Sequence, residues 1–155
     1  MTFLKSLLFL FVAPGMVAGF VPLAFLRSGP RIQTGLFSWL AFPLWVVGIA
    51  TLLWCFWDFV QKGKGTPVPL DPPKELVVSG LYRYVRNPMY VGVFIVLIGH
   101  FLWFGYWSLL AYAGLFLIPV HLFVTLYEEP GLKKRFGAAY EKYLAEVPRW
   151  FPRFR

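Results

Sequence analysis

Charged residues are scarce in this chain of 155 residues: they make up 14% of it, whereas hydrophobic residues make up 59%. A soluble domain carries about 25% charged residues. So few charges cannot cover a globule of this size with a hydrated surface, and the excess apolar side chains predict contact with a lipid bilayer. Cysteine is scarcer still, because Cys55 has no partner within the chain. A secreted disulfide scaffold is therefore excluded, as is a disordered chain, and a single domain over residues 1–155 is expected.

Acidic residues are the rarer of the two charged classes: 7 Asp and Glu face 15 Lys and Arg, for a formal net charge of +8. A basic balance fits nucleic acid as well as anionic lipid. Here the basic residues lie in short segments between long apolar runs, with no basic stripe interleaved with aromatic residues on a polar scaffold. We therefore expect the lipid bilayer as a partner, and no nucleic acid.

Four apolar runs approach the roughly 20 residues that a membrane-spanning helix needs. They predict an all-α membrane protein whose four transmembrane helices cover about residues 7–26, 36–60, 89–104 and 107–127. Because only Gly105 and Tyr106 separate the last two, we expect a tight helical hairpin there. Several prolines interrupt the runs, and neighbouring helices must satisfy the carbonyls that these residues leave without donors. These prolines are Pro14, Pro22, Pro43 and Pro119.

The amino-terminal run also has some features of a secretory signal peptide, with Lys5 before the apolar residues and the small pair Ala18-Gly19 within them. The apolar run does not stop at that pair and continues to Leu26. A retained first helix is therefore favoured over a cleaved leader.

Lys and Arg are distributed unevenly across the predicted spans. Four spans place 13 of the 15 on the side of the two termini, and only Arg27 and Arg31 on the other side. The positive-inside rule then predicts a multi-pass protein with both termini in the cytoplasm, in a prokaryotic inner or plasma membrane. Between the second and third spans, residues 61–75 are rich in proline and glycine and predict an extended connector.

The carboxyl-terminal tail shows a different pattern. Leu132, Phe136, Tyr140, Tyr143 and Val147 recur at intervals of three or four residues with charged residues between them. This spacing predicts one or two amphipathic helices that lie against the cytoplasmic interface. The basic and aromatic segment 149–155 is typical of a membrane anchor, which we favour over a catalytic role.

Polar residues converge at one end of the predicted hairpin. Five of them precede the third helix: Tyr82, Arg83, Tyr84, Arg86 and Asn87. Tyr90 lies near the start of that helix, and Glu128 and Glu129 follow the fourth helix. These residues could serve only as lipid phosphate contacts, an aromatic belt and a helix cap. Ionisable residues at the mouth of a membrane helix also predict a functional site.

Two histidines extend this hypothesis into the membrane. His121, Thr125 and Glu128 are spaced to share one face of the fourth helix, and His100 lies deep in the third. A buried histidine is more often a hydrogen-bonded packing residue than a catalyst. The spacing does not fit a zinc site, so no metal is predicted.

Several separate motifs carry a family resemblance. They are the segment from Glu75 to Gly92, the Glu128-Glu129 pair, and the tail residues Leu132, Phe136-Gly137, Tyr140, Tyr143 and Val147-Pro148-Arg149. Together they resemble the isoprenylcysteine carboxyl methyltransferase and phospholipid methyltransferase superfamily, over roughly residues 74–152. The resemblance implies an integral membrane enzyme that uses S-adenosylmethionine and releases S-adenosylhomocysteine. It also implies a hydrophobic or lipidated acceptor, methylated on a carboxylate or an amine at the cytoplasmic face.

The resemblance also implies a cofactor-binding region over about residues 74–150. The residues expected to contact the cofactor there are Leu76, Val77, Tyr82, Arg86, Asn87, Pro88, Met89, Tyr90, Glu128 and Glu129. Arginine would grip its carboxylate, a Glu would accept from its ammonium and ribose hydroxyls, and tyrosine rings would approach its sulfonium.

Two departures from the family pattern concern the acceptor. Asn87 stands where the family has a histidine, and Val124 stands where the prenylcysteine branch has an arginine. The second departure argues against a prenylcysteine acceptor. An amine acceptor would need a base, for which His121 and His100 are the candidates. The alternatives are a membrane reductase related to the sterol reductases, with a nicotinamide cofactor, and a non-enzymatic four-helix scaffold.

Overall fold

The structure, a computed structural model, describes residues 12–24, 29–63 and 75–152. In chain order the described helices are α1 (Val12–Ala24), α2 (Gly35–Gln61), α3 (Pro88–Phe104), α4 (Trp107–Phe136) and α5 (Ala138–Glu146), with a 3₁₀ turn at Gly80–Arg83 before α3. Parts of the first predicted span and of the connector fall outside the described residues. The expected all-helical class is confirmed for the described part of the chain.

The connection between α3 and α4 depends on Gly105. This residue has a φ of 73° and donates its N–H to the carbonyl of Phe101 at 2.8 Å, which closes α3. Its own carbonyl accepts from Ile32 N at 2.8 Å, and a Cβ at this position would overlap the Ile32 carbonyl oxygen. Glycine is therefore required both by the left-handed conformation and by the close approach of another backbone.

Helices α2 and α3 approach each other backbone to backbone where two glycines meet. A Cβ on Gly48 would lie 2.6 Å from Val96 Cγ2 and 2.8 Å from the Gly92 carbonyl oxygen. A Cβ on Gly92 would lie 3.1 Å from the Gly48 carbonyl oxygen. Small residues at a helix crossing allow close packing, which is the main source of helix association in lipid.

We expect Gly48→Ala to lower the stability of the detergent-solubilised protein by about 1–3 kcal/mol, because the added methyl group cannot be accommodated without separating α2 from α3. Thermal unfolding measures this. Gly114→Ala on α4 is the matched control, since apart from its own helix turn no atom of the described residues lies within 4 Å of its Cβ position and alanine is the better helix former. A Gly48→Ala protein as stable as the wild type would contradict this packing.

Helix α1 loses two backbone hydrogen bonds near Pro22, and side chains from α3 and α4 replace them. The N–H of Val21 bonds to Met16 O in a π turn, and Pro22 has no N–H to offer to Ala18. The Tyr112 hydroxyl donates to Val17 O at 3.0 Å, and His100 Nε2 lies 2.8 Å from Ala18 O. The prediction that neighbouring helices satisfy the carbonyls freed by proline is confirmed at Pro22.

A second π turn, Val124–Glu128, lies within α4 just before Pro130. Its last hydrogen bond runs from Glu129 N to Val124 O, so the helix passes the proline without ending. The fourth predicted span, residues 107–127, therefore continues as one helix to Phe136.

The apolar side of the tail packs against the body of the protein. Tyr140, Tyr143 and Val147 are buried together with partly buried Leu76, Leu132, Phe136 and Leu144. The predicted apolar periodicity is thus correct, and its partner is the segment that precedes α3.

Two of the described helices, α2 and α4, are long and apolar enough to cross a membrane, while α1 and α3 are shorter apolar helices. Large apolar side chains are exposed along the outer faces of both long helices. Val46 is 67% exposed, Leu115 63% and Leu126 73%. Apolar faces of this extent require a cover of lipid or protein.

Candidate active site

Two side-chain hydrogen bonds join the start of α3 to the polar end of α4. Tyr90 donates its hydroxyl to Glu128 Oε2 at 3.1 Å, and Arg86 Nη1 donates to Glu129 Oε1 at 2.7 Å. These residues are 38 and 43 positions apart in sequence. The predicted convergence of the two polar segments is therefore confirmed.

Glu129 is held between two guanidinium groups. Besides the Arg86 bond, Arg149 donates from Nε to Oε1 at 2.9 Å and from Nη2 to Oε2 at 2.8 Å. The Glu129 side chain is 14% exposed, and that of Arg86 is 13% exposed. The bond to Glu129 raises the pKa of Arg149. Such a forked arrangement fixes both the position and the plane of the carboxylate.

The segment after α5 makes further contacts with the residues around Arg86, Glu129 and Arg149, which we call the cluster. Pro148 O accepts from the backbone N–H of Arg86 at 2.9 Å, and Arg149 O accepts from Asn87 Nδ2 at 3.2 Å. Trp150 Nε1 donates to His121 Nδ1 at 3.2 Å, and the Trp150 ring lies 6.5 Å from that of Tyr90 between centroids. We call residues 147–150 the strap.

Three tyrosines surround the cluster on the side of α5. Burial raises the pKa of Tyr82 and Tyr143 well above their usual range and that of Tyr140 to about 12. Tyr143 donates its hydroxyl to Tyr82 O at 2.8 Å, which joins α5 to the 3₁₀ turn. All three phenols therefore stay protonated at neutral pH, so they can offer hydrogen bonds and ring faces but no base.

A cavity of about 820 Å³ opens beside these groups, within the range of sites for small molecules. Its lining contains polar and aromatic side chains from the 3₁₀ turn, α3, α4 and α5 together with apolar side chains. Of the residues predicted to contact a cofactor, it is lined by Leu76, Val77, Tyr82, Arg86, Asn87, Tyr90, Glu128 and Glu129. We call it the large cavity.

A small cavity of about 130 Å³ lies deeper among the helices. Its apolar lining includes Pro14, Val17, Met89, Val93 and Phe116. It shares part of its wall with the large cavity, and this shared wall consists of Ala13, Phe59, Tyr82, Arg86, Asn87, Tyr90 and Glu128. Among the described carboxylates, Glu128 alone lines both cavities.

The remaining predicted site residues lie elsewhere. Met89 lines the small cavity only, and Pro88 is buried in the first turn of α3 without lining either cavity. His121 is exposed and contacts Trp150, whereas the Thr125 hydroxyl bonds back to His121 O at 2.7 Å. A π turn, Val124–Glu128, lies between His121 and the end of this predicted face.

His100 is not brought to the cluster. Trp45 Nε1 donates to its Nδ1 at 2.8 Å, so the ring proton lies on Nε2 and is donated to Ala18 O. Ten residues of helix, about 15 Å, separate it from Tyr90. Both ring nitrogens thus hold α1, α2 and α3 together.

Sequence reasoning missed several contributors to the site, namely Phe59, Leu126, Tyr127, Tyr140, Tyr143, Arg149 and Trp150. The spacing of the tail did predict that Tyr140 and Tyr143 share an apolar face. Nothing local to Arg149 distinguishes an arginine that binds Glu129 from one that contacts lipid phosphate.

Comparison with known protein families assigns the chain. Residues 36–139, well over half of it, match the model of the phospholipid methyltransferase family. The chain belongs to this family. No curated protein matched the chain. Membership of the phospholipid methyltransferase family and the two long apolar helices identify a membrane protein, and the family implies a methyltransferase that acts on lipid. The comparisons give no support to a reductase.

Proposed function

We propose that this protein transfers a methyl group from S-adenosylmethionine to a lipid or lipidated acceptor, with the donor in the large cavity. The observation that carries the proposal is the shared wall. In a protein of the phospholipid methyltransferase family, it places a carboxylate, a guanidinium and two phenols at the lining that the two cavities have in common. A donor on one side of this wall and a lipid-borne acceptor on the other could meet there.

The residues of the large cavity fit the charges of the donor. Glu128 uses Oε2 to accept from Tyr90, and its carboxylate can also accept from an ammonium group or ribose hydroxyls. Arg86 lines the large cavity and has N–H donors besides the one that Glu129 accepts, so it can bind a ligand carboxylate. The Tyr82 and Tyr90 rings can approach a sulfonium through cation-π attraction. When bound, S-adenosylmethionine would supply the electrophilic methyl group.

The protein's own contribution is alignment and exclusion of water. Tyr82 is buried and Tyr90 is fixed by its bond to Glu128, so the wall is preorganised. The strap and α5 cover the cluster on one side and limit the access of water. A nucleophile on the protein is not needed for an in-line displacement.

An amine acceptor must also release a proton. His121 Nδ1 is engaged by Trp150, and His100 is engaged on both nitrogens, so neither is placed to receive it. Glu128 is the carboxylate at the wall between the two cavities and is the group we assign to this step. A carboxylate acceptor would release no proton and would need no base.

The topology belongs to the proposal as well. We place all four apolar helices across the membrane, with α3 and α4 as a helical hairpin and the Glu128-Glu129 end at the cytoplasmic face. The excess of Lys and Arg on that side supports this orientation.

Labelling of lipids tests the proposal. The purified protein is incubated with methyl-labelled S-adenosylmethionine and total membrane lipid, and the extracted lipid is treated with base. We expect label in the lipid fraction: base-labile label indicates a carboxyl ester, and base-stable label indicates an amine. No label in lipid, with a folded protein that does not bind S-adenosylhomocysteine, would refute the proposed function.

A further inference from the structure

The two adjacent glutamates at the end of α4 have different surroundings. Among the described residues, Glu128 accepts one hydrogen bond, from the neutral Tyr90 hydroxyl, and it lines both cavities. Glu129 accepts three, all from guanidinium groups, and both of its oxygens are occupied. A ligand cation would have to compete with two arginines for Glu129. It would meet no such competition at Glu128, whose hydrogen-bond donor is the neutral Tyr90 hydroxyl. The two residues therefore cannot have the same function.

Arg149 provides two of the three bonds to Glu129, and it does so from a strap that is itself fixed to the start of α3. Pro148 O binds the backbone N–H of Arg86, and Arg149 O binds the amide of Asn87. The strap thus contacts Arg86 through Pro148 and contacts Glu129, which binds Arg86, through Arg149.

The charges of Arg86, Glu129 and Arg149 do not cancel among these three residues. Arg86, Glu129 and Arg149 together carry one net positive charge, and Arg86 is the arginine of this trio that lines the cavities. Its Nη1 donates to Glu129, and the guanidinium carries further N–H donors. A guanidinium held in this way offers a fixed donor to an anionic group in the cavity.

We propose that Arg149 is a positioning residue: by holding Glu129 it fixes Arg86 at the cavity wall, where Arg86 receives the carboxylate of the ligand. The ligand part of this inference rests on the proposed function. Arg149 itself lines neither cavity, so it acts on the ligand only through Glu129 and Arg86. Glu129 is the internal counter-ion of the two arginines.

A double-mutant cycle tests the connection. S-adenosylhomocysteine affinity is measured by calorimetry in detergent for Arg149→Ala, Glu129→Gln and the double variant. We expect each single change to weaken binding about tenfold, and the double variant to bind no more weakly than Glu129→Gln alone. Arg149→Lys should not restore affinity, because an ammonium cannot form the forked pair. Wild-type affinity in Arg149→Ala, or a hundredfold loss in the double variant, would overturn the proposal.

A measurement without ligand separates this inference from the proposed function. Amide exchange of the peptide that contains Arg86 reports on its bond to Pro148, and Arg149→Ala should accelerate exchange at least tenfold. Lys142→Ala, at an exposed position on α5 that lines neither cavity, is the control and should leave it unchanged. Unchanged exchange in Arg149→Ala would refute the inference that Arg149 is a positioning residue. A wild-type protein without affinity for S-adenosylhomocysteine would refute the proposed function, and the exchange result would still decide the role of Arg149.

Discussion

Glu128→Gln should weaken binding of S-adenosylhomocysteine by about tenfold to a hundredfold while the protein stays folded. Glutamine has nearly the same shape and can still accept from Tyr90, but it has lost the charge that would bind a ligand ammonium. A hydrogen bond to a charged group contributes about 1.5–3 kcal/mol, which corresponds to this range. Calorimetry in detergent gives the affinity, and thermal unfolding shows that the fold is kept.

Glu141→Gln is the matched control for this substitution. Glu141 pairs with Lys133 at 2.9 Å on the exposed side of α5, and its side chain is 55% exposed. An exposed pair contributes little, so neither affinity nor stability should change measurably. Wild-type affinity in a folded Glu128→Gln protein would move the donor site away from the shared wall.

The positions of the helices could be predicted from the apolar runs. The predicted third span, residues 89–104, and the helix Pro88–Phe104 differ by one residue, and α4 begins at Trp107 as expected. Gly105 marks the boundary because a left-handed residue is needed there. The carboxyl-terminal end of the fourth helix was predicted less well. Nothing in the periodicity indicates that a π turn carries the helix past Pro130 to Phe136.

The sequence predicts that polar contacts between distant segments are needed, but it does not predict which residues make them. Proline chemistry predicts that carbonyls near Pro22 need donors from other helices. It cannot identify His100, which is 82 residues from Ala18, or Tyr112, which is 95 residues from Val17. The sequence alone therefore leaves His100 a catalytic candidate, whereas its hydrogen bonds to Trp45 and Ala18 give it a structural role.

The residues of the candidate site could likewise be predicted only in part. Most of the residues expected from the family motifs line the large cavity, because those motifs lie where α3 begins and α4 approaches its end. The basic and aromatic neighbours of Arg149 predict a membrane anchor. Its fork to Glu129 depends on how the chain turns after α5, which no local pattern encodes.

Glu129→Ala should lower stability by about 3 kcal/mol or more, in contrast to Glu128→Gln. The substitution leaves the guanidinium groups of Arg86 and Arg149 close together without a counter-charge, in a place where Arg86 is largely shielded from water and Arg149 partly so. Removing one member of a buried ion pair costs about 3–5 kcal/mol, and the 31% exposure of Arg149 places this case at the lower end. Thermal unfolding in detergent and the yield of folded protein measure the effect.

Charge rescue distinguishes this mechanism from a loss of packing. Glu129→Ala combined with Arg149→Ala removes one of the two positive charges that Glu129→Ala leaves close together. The double variant should therefore be more stable than Glu129→Ala alone, although it lacks one more side chain. Glu141→Ala on α5 should cost less than 1 kcal/mol, because its partner Lys133 is 60% exposed. A double variant less stable than Glu129→Ala would show that Arg149 stabilises the strap by packing rather than through the Glu129 carboxylate.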